Sequence, residues 1–331
     1  MLEHGGRLRA AARQWGIALE EWLDLSTGIA PWSYPVTIPA EVWQRLPEDE
    51  DDLETTAARY YGHPSPLPLP GSQAAIQWLP RLFPAGEILL PAPSYGEYAP
   101  AWQSAGHTTR EVPFAQLATL AAKTTARALM LGNPNNPTGE ILSAAMLGEL
   151  AKTLAARDGW LIVDEAFADA DPGNSLATLA GTTHPNLIVL RSLGKFFGLA
   201  GARVGFFCGA DALRTRLKEI LGPWAVSHPA RLAATQALGD TAWCHAQQDR
   251  LENASARLGL LLGQHSLTSI PGGSLFHYVA TPHAAELFTH LARCGILVGQ
   301  FREPAAIRFG LPASAADWRR LDAALTDWNH S

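Results

Sequence analysis

Strand-length apolar runs alternate with helix-length stretches through the middle of the sequence. That alternation predicts an α/β fold with a mostly parallel central sheet flanked by helices, plus a smaller α+β C-terminal domain. Three observations carry the prediction. Apolar runs at 129–132, 160–164 and 186–190 are separated by a helical stretch at 143–158 and by a helix or loop at 174–181, and a further strand follows at 203–208. Beyond a largely helical link at 211–264, short strands at 271–279, 295–298 and 306–310 are interleaved with helices at 283–293 and 314–328. A length of 331 residues suits two such units. We therefore expect a large domain over 41–220, a small one over 221–331, and residues 1–40 as an N-terminal helix and arm packing on the small domain.

Composition narrows the function classes. Apolar residues form 47% of the chain and charged residues 17%, which is ample for a buried core. A net charge of −6 leaves no basic footprint, so no nucleic-acid partner is expected. Cys208, Cys244 and Cys294 lack CxxC spacing; they support neither a disulfide framework nor a metal site, and they fit a reducing cytoplasm. No run reaches the ~18–20 apolar residues that span a bilayer, so no membrane partner is expected. His4, Arg7, Arg9 and Arg13 interrupt any apolar core at the amino end, so no signal peptide is expected there.

In chain order, residues 4–16 read as a short helix with Leu8, Ala12 and Trp15 on one face, stopped at Gly16. Residues 23–31 read as a strand ending in a turn, and Pro31, Pro35 and Pro39 make the next part an extended arm. Such an arm either crosses to a neighbouring subunit or domain or forms a surface loop. A helix is expected over 50–62, then a turn at Gly71-Ser72-Gln73 opening another helix. The free N–H groups of a helix start attract phosphate, although a cap with no ligand gives the same pattern. A strand at 87–91 leads to Tyr95, whose ring either stacks on a planar group or packs in the core.

The stretch Ser192-Leu193-Gly194-Lys195-Phe196-Phe197 follows an apolar strand and sets one Lys among small and aromatic residues, with Arg203 further on. An amine held among apolar groups and near a second cation loses basicity and becomes a usable nucleophile toward a carbonyl. A hydroxyl, an amine and a guanidinium on one loop suit a phosphorylated aldehyde cofactor. A glycine-rich turn with a stray Lys is the plain alternative. Asp164 closes an apolar strand, where an acid is costly unless paired, and a helix cap would also explain it. Asn136, Asp164 and Lys195 all fall beyond the carboxyl ends of strands, where ligands collect in parallel sheets.

Asn136-Pro137-Thr138-Gly139, Asp164-Glu165-Ala166 and Ser192-x-x-Lys195 with Arg203, in that order, resemble the class I/II aminotransferase superfamily of fold-type I pyridoxal phosphate (PLP) enzymes. The resemblance implies PLP as cofactor. It implies that Lys195 supplies the amine that condenses with the cofactor aldehyde and that Asp164 pairs with the pyridine nitrogen. Asn136 would donate to the phenolic oxygen, and Tyr95, rather than Tyr98, would cover the ring. Gly71, Ser72, Gln73, Ser192 and Arg203 would hold the phosphate. Phe167 stands where relatives often carry Tyr, Gly194 where many carry Ser, and Ala30 where Asn is usual.

Arg308 is the expected grip on a substrate carboxylate, since its planar fork matches two carboxylate oxygens. A surface ion pair would be the ordinary reading, but Ile307-Arg308-Phe309-Gly310 is apolar on both sides. His4-Gly5-Gly6, the run 25–31 and Ile307-Arg308-Phe309-Gly310-Leu311-Pro312 resemble the threonine-phosphate decarboxylases of cobalamin biosynthesis, with the histidinol-phosphate aminotransferases as cousins. That implies a small phosphorylated amino-acid substrate, with Gly28 at the substrate and His4 and Arg302 as candidates for its phosphate. It also implies a homodimer with shared active sites, to which Tyr60 or Tyr61 would contribute if not simply packed. A PLP-fold binding protein without catalysis is the alternative of a different class.

Overall fold

The computed structural model describes residues 5–329, so His4 lies outside the described residues. Two sheets organise the chain. The N-terminal segment forms α1 (Leu8–Trp15) and β1 (Leu23–Leu25). The large unit then runs α2 (Leu53–Tyr61), β2 (Leu67–Leu69), α3 (Ser72–Trp78), β3 (Glu87–Ala92), α4 (Tyr98–Ser104), β4 (Thr108–Pro113), α5 (Leu117–Lys123), β5 (Ala128–Gly132), α6 (Ala144–Ala155), β6 (Trp160–Asp164), β7 (Leu187–Ser192) and β8 (Gly205–Cys208). Helices α7 (Asp211–Leu221), α8 (His228–Gly239) and α9 (Thr241–Gln264) lead to β9 (Ile270–Gly272), β10 (Phe276–Ala280), α10 (Ala284–Arg293), β11 (Ile296–Arg302), β12 (Ala305–Gly310) and α11 (Ala315–Asn329).

The large sheet has seven strands in the order β2-β8-β7-β6-β5-β3-β4. Its β4-β3-β5-β6-β7 portion is parallel throughout, while β8 pairs antiparallel with both β7 and β2. The apolar runs belong to strands covered on both faces. Leu129, Leu131, Leu161, Val163 and Val189 enter one core cluster, and their alternating neighbours Met130, Ile162, Ile188 and Leu190 enter another on the opposite face. The small sheet has the order β1-β11-β12-β10-β9, with β1 parallel to β11 and the rest antiparallel.

Most expected elements are present, and the differences have local causes. The strand expected over 271–279 is a hairpin, because Leu275 N–H bonds back to the Gly272 carbonyl at 3.1 Å and reverses the chain. The segment at 174–181, expected as a helix or loop, contains no α-helix and is a loop. The strand expected over 203–208 begins at Gly205, since Arg203 takes a left-handed conformation (φ 56°). Residues 30–34 run along the Lys195 loop: Ala30 N–H bonds to the Lys195 carbonyl and Tyr34 N–H to the Phe197 carbonyl, each at 2.9 Å. Among the described residues no helix is long and apolar enough to cross a membrane.

Candidate active site

The carboxyl ends of β3, β5, β6 and β7 converge on two adjoining cavities. The inner one, about 120 Å³, is lined by Ser72, Gln73, Tyr98, Asp164, Ser192 and Arg203 among others. The outer one, about 620 Å³, takes in Gly28 and Arg308 from the side of the small sheet. Tyr95, Asn136, Phe167 and Lys195 line both. Lys195 therefore stands at the junction of the two spaces.

Lys195 follows β7, and its Nζ lies 5.6 Å from the centre of the Phe167 ring. Burial, assisted by the nearby charge of Arg308, pulls its pKa from 10.5 to about 8. The free amine is thus accessible near neutrality. Asp164 ends β6 and is buried. Burial raises its pKa to about 6, against the pull of hydrogen bonds from the Tyr98 hydroxyl to Oδ2 (2.9 Å) and from Ala166 N–H to Oδ1 (3.1 Å). Strand alternation turns the neighbouring Glu165 away from the cavity. Glu165 pairs instead with the buried Arg191, which also meets Asp169 at 2.5 Å and lies 4.7 Å from the Tyr61 ring centre. The sequence Asp164-Glu165 offers two acids; the pleat assigns them different tasks.

The far side of the inner cavity gathers hydrogen-bond donors. Gly71 has φ +78°, and a Cβ there would fall 2.6 Å from Arg203 Nη2, so the backbone closes directly on the guanidinium. Ser72 and Gln73 occupy the first turn of α3, where N–H groups have no partner within the helix. The Ser192 hydroxyl and Arg203 complete the lining. Tyr95 is held by its hydroxyl, which donates to Gln73 Oε1 at 3.1 Å, while Gln73 Nε2 donates to Glu97 at 3.3 Å.

Arg308, on β12, is buried between Phe276 and Phe301, whose ring centres lie 5.2 and 5.8 Å from its Cζ. Burial lowers its pKa to about 10. Nη1 donates to Asn136 Oδ1 at 2.6 Å and Nη2 to the Ser26 carbonyl at 2.9 Å, while Nε has no partner among the described residues. The contact fixes the Asn136 amide with its oxygen toward Arg308, leaving its NH₂ as the donor toward the cavity. Gly28 is a close-approach position: a Cβ would lie 2.7 Å from the Phe167 ring and 2.9 Å from that of Phe276.

Arg302 is set apart from this group. It is exposed at the end of β11, and the outer cavity is lined by Gln300 and Phe301 instead. Tyr60 and Tyr61 pack against each other at 4.9 Å, Tyr60 against Phe197 and Tyr61 against Phe206, so both rings are used inside the chain. Two side chains escaped the reading of the sequence. Tyr98 holds Asp164, a tertiary contact with no local signal. Arg7 lines the outer cavity, and only its place after Gly5-Gly6 hints at that. The departures also have local reasons. A side chain at Gly194 would lie 2.9 Å from Ala200 Cα, and Phe167 fills the wall against Phe276 at 5.1 Å.

One amine at the junction, one buried acid, a hydroxyl and guanidinium beside a helix start, and a tyrosine on the shared wall are the residue types a PLP enzyme needs. Residues 45–327 match the family Aminotransferase class I and II, and the chain belongs to it. Threonine-phosphate decarboxylase from Pseudomonas aeruginosa is 50% identical over 98% of this chain and 97% of that protein. Threonine-phosphate decarboxylase from a Sinorhizobium species is 42% identical, covering 97% of each. Histidinol-phosphate aminotransferase from Sinorhizobium meliloti, solved in complex with pyridoxal-5'-phosphate, superposes with a TM-score of 0.83 at 21% identity over 100% of this chain and 98% of that one, a likeness of fold.

Proposed function

We propose that this chain decarboxylates L-threonine O-3-phosphate to (R)-1-amino-2-propanol O-2-phosphate, using PLP, and that it serves cobalamin biosynthesis. The observation that carries the reading is the pair of cavities meeting at Lys195, the outer one lined by Arg7, Lys195 and Arg308 and by no carboxylate among the described residues. That lining suits a substrate with two anionic groups. Identity of 50% to a curated threonine-phosphate decarboxylase supports the same reading.

The residues present fit the cofactor one for one. Lys195 would take the aldehyde, Asp164 the ring nitrogen, Asn136 the phenolic oxygen, Tyr95 the ring face, and Gly71, Ser72, Gln73, Ser192 and Arg203 the phosphate. When bound, PLP supplies the electrophile for the substrate amine and a ring that accepts the electrons of the bond being broken. Asp164, ionised above about pH 6, keeps a proton on the ring nitrogen. Arg308 keeps one hydrogen on each terminal nitrogen for the substrate carboxylate, the other two being fixed on Asn136 and Ser26 while Nε is buried. Carbon dioxide leaves from the group Arg308 holds, and a proton takes its place on the α-carbon. Lys195 Nζ, with a pKa near 8, can carry that proton.

The chain is further proposed to act in a reducing cytoplasm as a homodimer. Exposed Trp43, Leu46 and Trp224, the last lining a groove with Pro47, support a second copy as partner. The domain limits 1–40, 41–220 and 221–331 are retained as a proposal. Incubation with L-threonine O-3-phosphate should release CO₂ with no need for a keto acid. Glutamate formation from histidinol phosphate and 2-oxoglutarate, without CO₂ release, would replace this reading with an aminotransferase; inactivity in both assays would leave a binding protein.

A further inference from the structure

We infer that Arg7 is the residue that recognises the phosphate of the substrate and so sets the preference for phosphorylated over free threonine. The inference rests on the decarboxylase reading and names the specificity residue of that same site. Among the described residues three cations line the outer cavity. Lys195 is engaged at the cofactor aldehyde and Arg308 at the carboxylate, which leaves Arg7 for the second anionic group.

The backbone holds Arg7 there by a built contact. A Cβ on Gly5 would lie 2.2 Å from the Ser26 carbonyl oxygen, so only glycine allows the segment to lie against β1's turn. Gly6, with φ +78°, then turns the chain, and its N–H bonds to Ser26 Oγ at 2.7 Å. The same Ser26 carbonyl accepts from Arg308 Nη2 at 2.9 Å. Both guanidinium-bearing segments are therefore referenced to one residue, and the separation of the two anion grips is set by local geometry. Asp24, the acid of this turn, accepts from Ser26 N–H (2.9 Å) and Ser26 Oγ (2.6 Å). Arg7 itself has no ion pair with a carboxylate among the described residues. Arg7, the exposed residue that precedes α1, lines the cavity beside Ala11 and Gln14 of that helix, while Arg9 and Arg13 border the adjoining outer groove with Arg7. A guanidinium with no carboxylate partner among the described residues, beside a cavity of about 620 Å³, suits a phosphate monoester, which it binds through paired N–H···O contacts.

The test compares Arg7→Ala, Arg7→Lys and unmodified holoenzyme with L-threonine O-3-phosphate, L-threonine and inorganic phosphate. Arg7→Ala should raise KM for the phosphorylated substrate about tenfold to a hundredfold with little change in kcat, the range expected for one lost charge-assisted contact. Inhibition by inorganic phosphate should weaken in parallel, and Arg7→Lys should recover part of both losses. The affinity of L-threonine, read as substrate or competitor, should stay unchanged. An unaltered KM in Arg7→Ala, or equal losses for threonine and its phosphate, would overturn the inference alone. Absence of turnover by the unmodified enzyme would remove the decarboxylase reading with it.

Discussion

Replacing Tyr98 by Phe deletes one hydroxyl and little else, which makes it a sharp probe of Asp164. The Tyr98 hydroxyl is buried and faces the acid, and both effects push its pKa far above the usual tyrosine value. It is a hydrogen-bond donor at every working pH. A hydrogen bond to a charged group contributes about 1.5–3 kcal/mol, equivalent to about one to two pK units at 1.36 kcal/mol each. Asp164 titrates at about 6 with that bond in place. Without it the carboxyl should titrate at about 7–8. At pH 7 its ionised fraction then falls from about nine-tenths to between a half and a tenth. On the proposed role of Asp164, in which the ionised form holds the protonated ring nitrogen, cofactor binding should weaken as pH falls through the pKa of the acid. The loss should begin near pH 6 in the unmodified protein and one to two units higher in Tyr98→Phe. Titration of apoprotein with PLP between pH 5.5 and 9, followed by absorbance of the bound cofactor, measures this directly. The titration of Lys195 near pH 8 contributes the same upper limb to both proteins. Two parallel curves separated by a constant factor would show Tyr98 to be packing only, and would refute the argument.

Other perturbations follow from the same geometry. The raised pKa of Asp164 means that the folded chain holds its proton longer than the unfolded chain, so apoprotein stability falls as pH rises from about 4 to 6 and stays lower above. Asp164→Asn should therefore stabilise the apoprotein at pH 8 by up to about 3 kcal/mol in denaturant melts while weakening PLP binding; an apoprotein less stable than the parent at that pH contradicts the assignment. Gly71→Ala places a Cβ at φ +78° and against Arg203, so a stability loss of about 1 kcal/mol should accompany weaker PLP affinity, read by urea midpoint and cofactor titration. In Lys195→Ala, borohydride treatment of the loaded protein should leave the chain mass unchanged. A covalently retained cofactor in that variant would move the amine elsewhere.

The legible parts of the sequence are those whose physics is local. Leu129–Leu131, Leu161–Val163 and Leu187–Leu190 read as strands because both faces of a central parallel strand are buried, and no polar alternation blurs them. Lys195, Asp164 and Asn136 stand beyond the carboxyl ends of such strands, where ligands collect, and that position agrees with the motifs that single them out. The strand β4 gave no such signal, since it lies at the sheet edge and only Val112 of its six residues is buried. Helices α4 and α5 are seven residues each, too short for periodicity to separate from a turn. Tyr98 and Arg7 were invisible for another reason. Their partners are 66 residues away in one case and reached through Ser26 in the other, so only the packed chain defines their tasks.

The segment from Ser26 to Tyr34 explains how two sheets yield one site. Its start is tied to the small sheet, through β1 against β11 and through the Ser26 carbonyl that receives Arg308. Its end is tied to the Lys195 loop of the large sheet by Ala30 N–H, Tyr34 N–H and the Ser33 hydroxyl, which donates to the Gly198 carbonyl at 3.0 Å. Between them Gly28 lies against the Phe167 and Phe276 rings with no room for a side chain. The separation of Arg308 from Lys195 is therefore fixed by this extended segment together with the Arg308–Asn136 hydrogen bond between the two units. Placement of the group to be expelled depends on that distance, and a misplacement of about 1 Å can lower a rate about a hundredfold. A glycine with no conformational need can thus be as constrained as the amine it helps to aim.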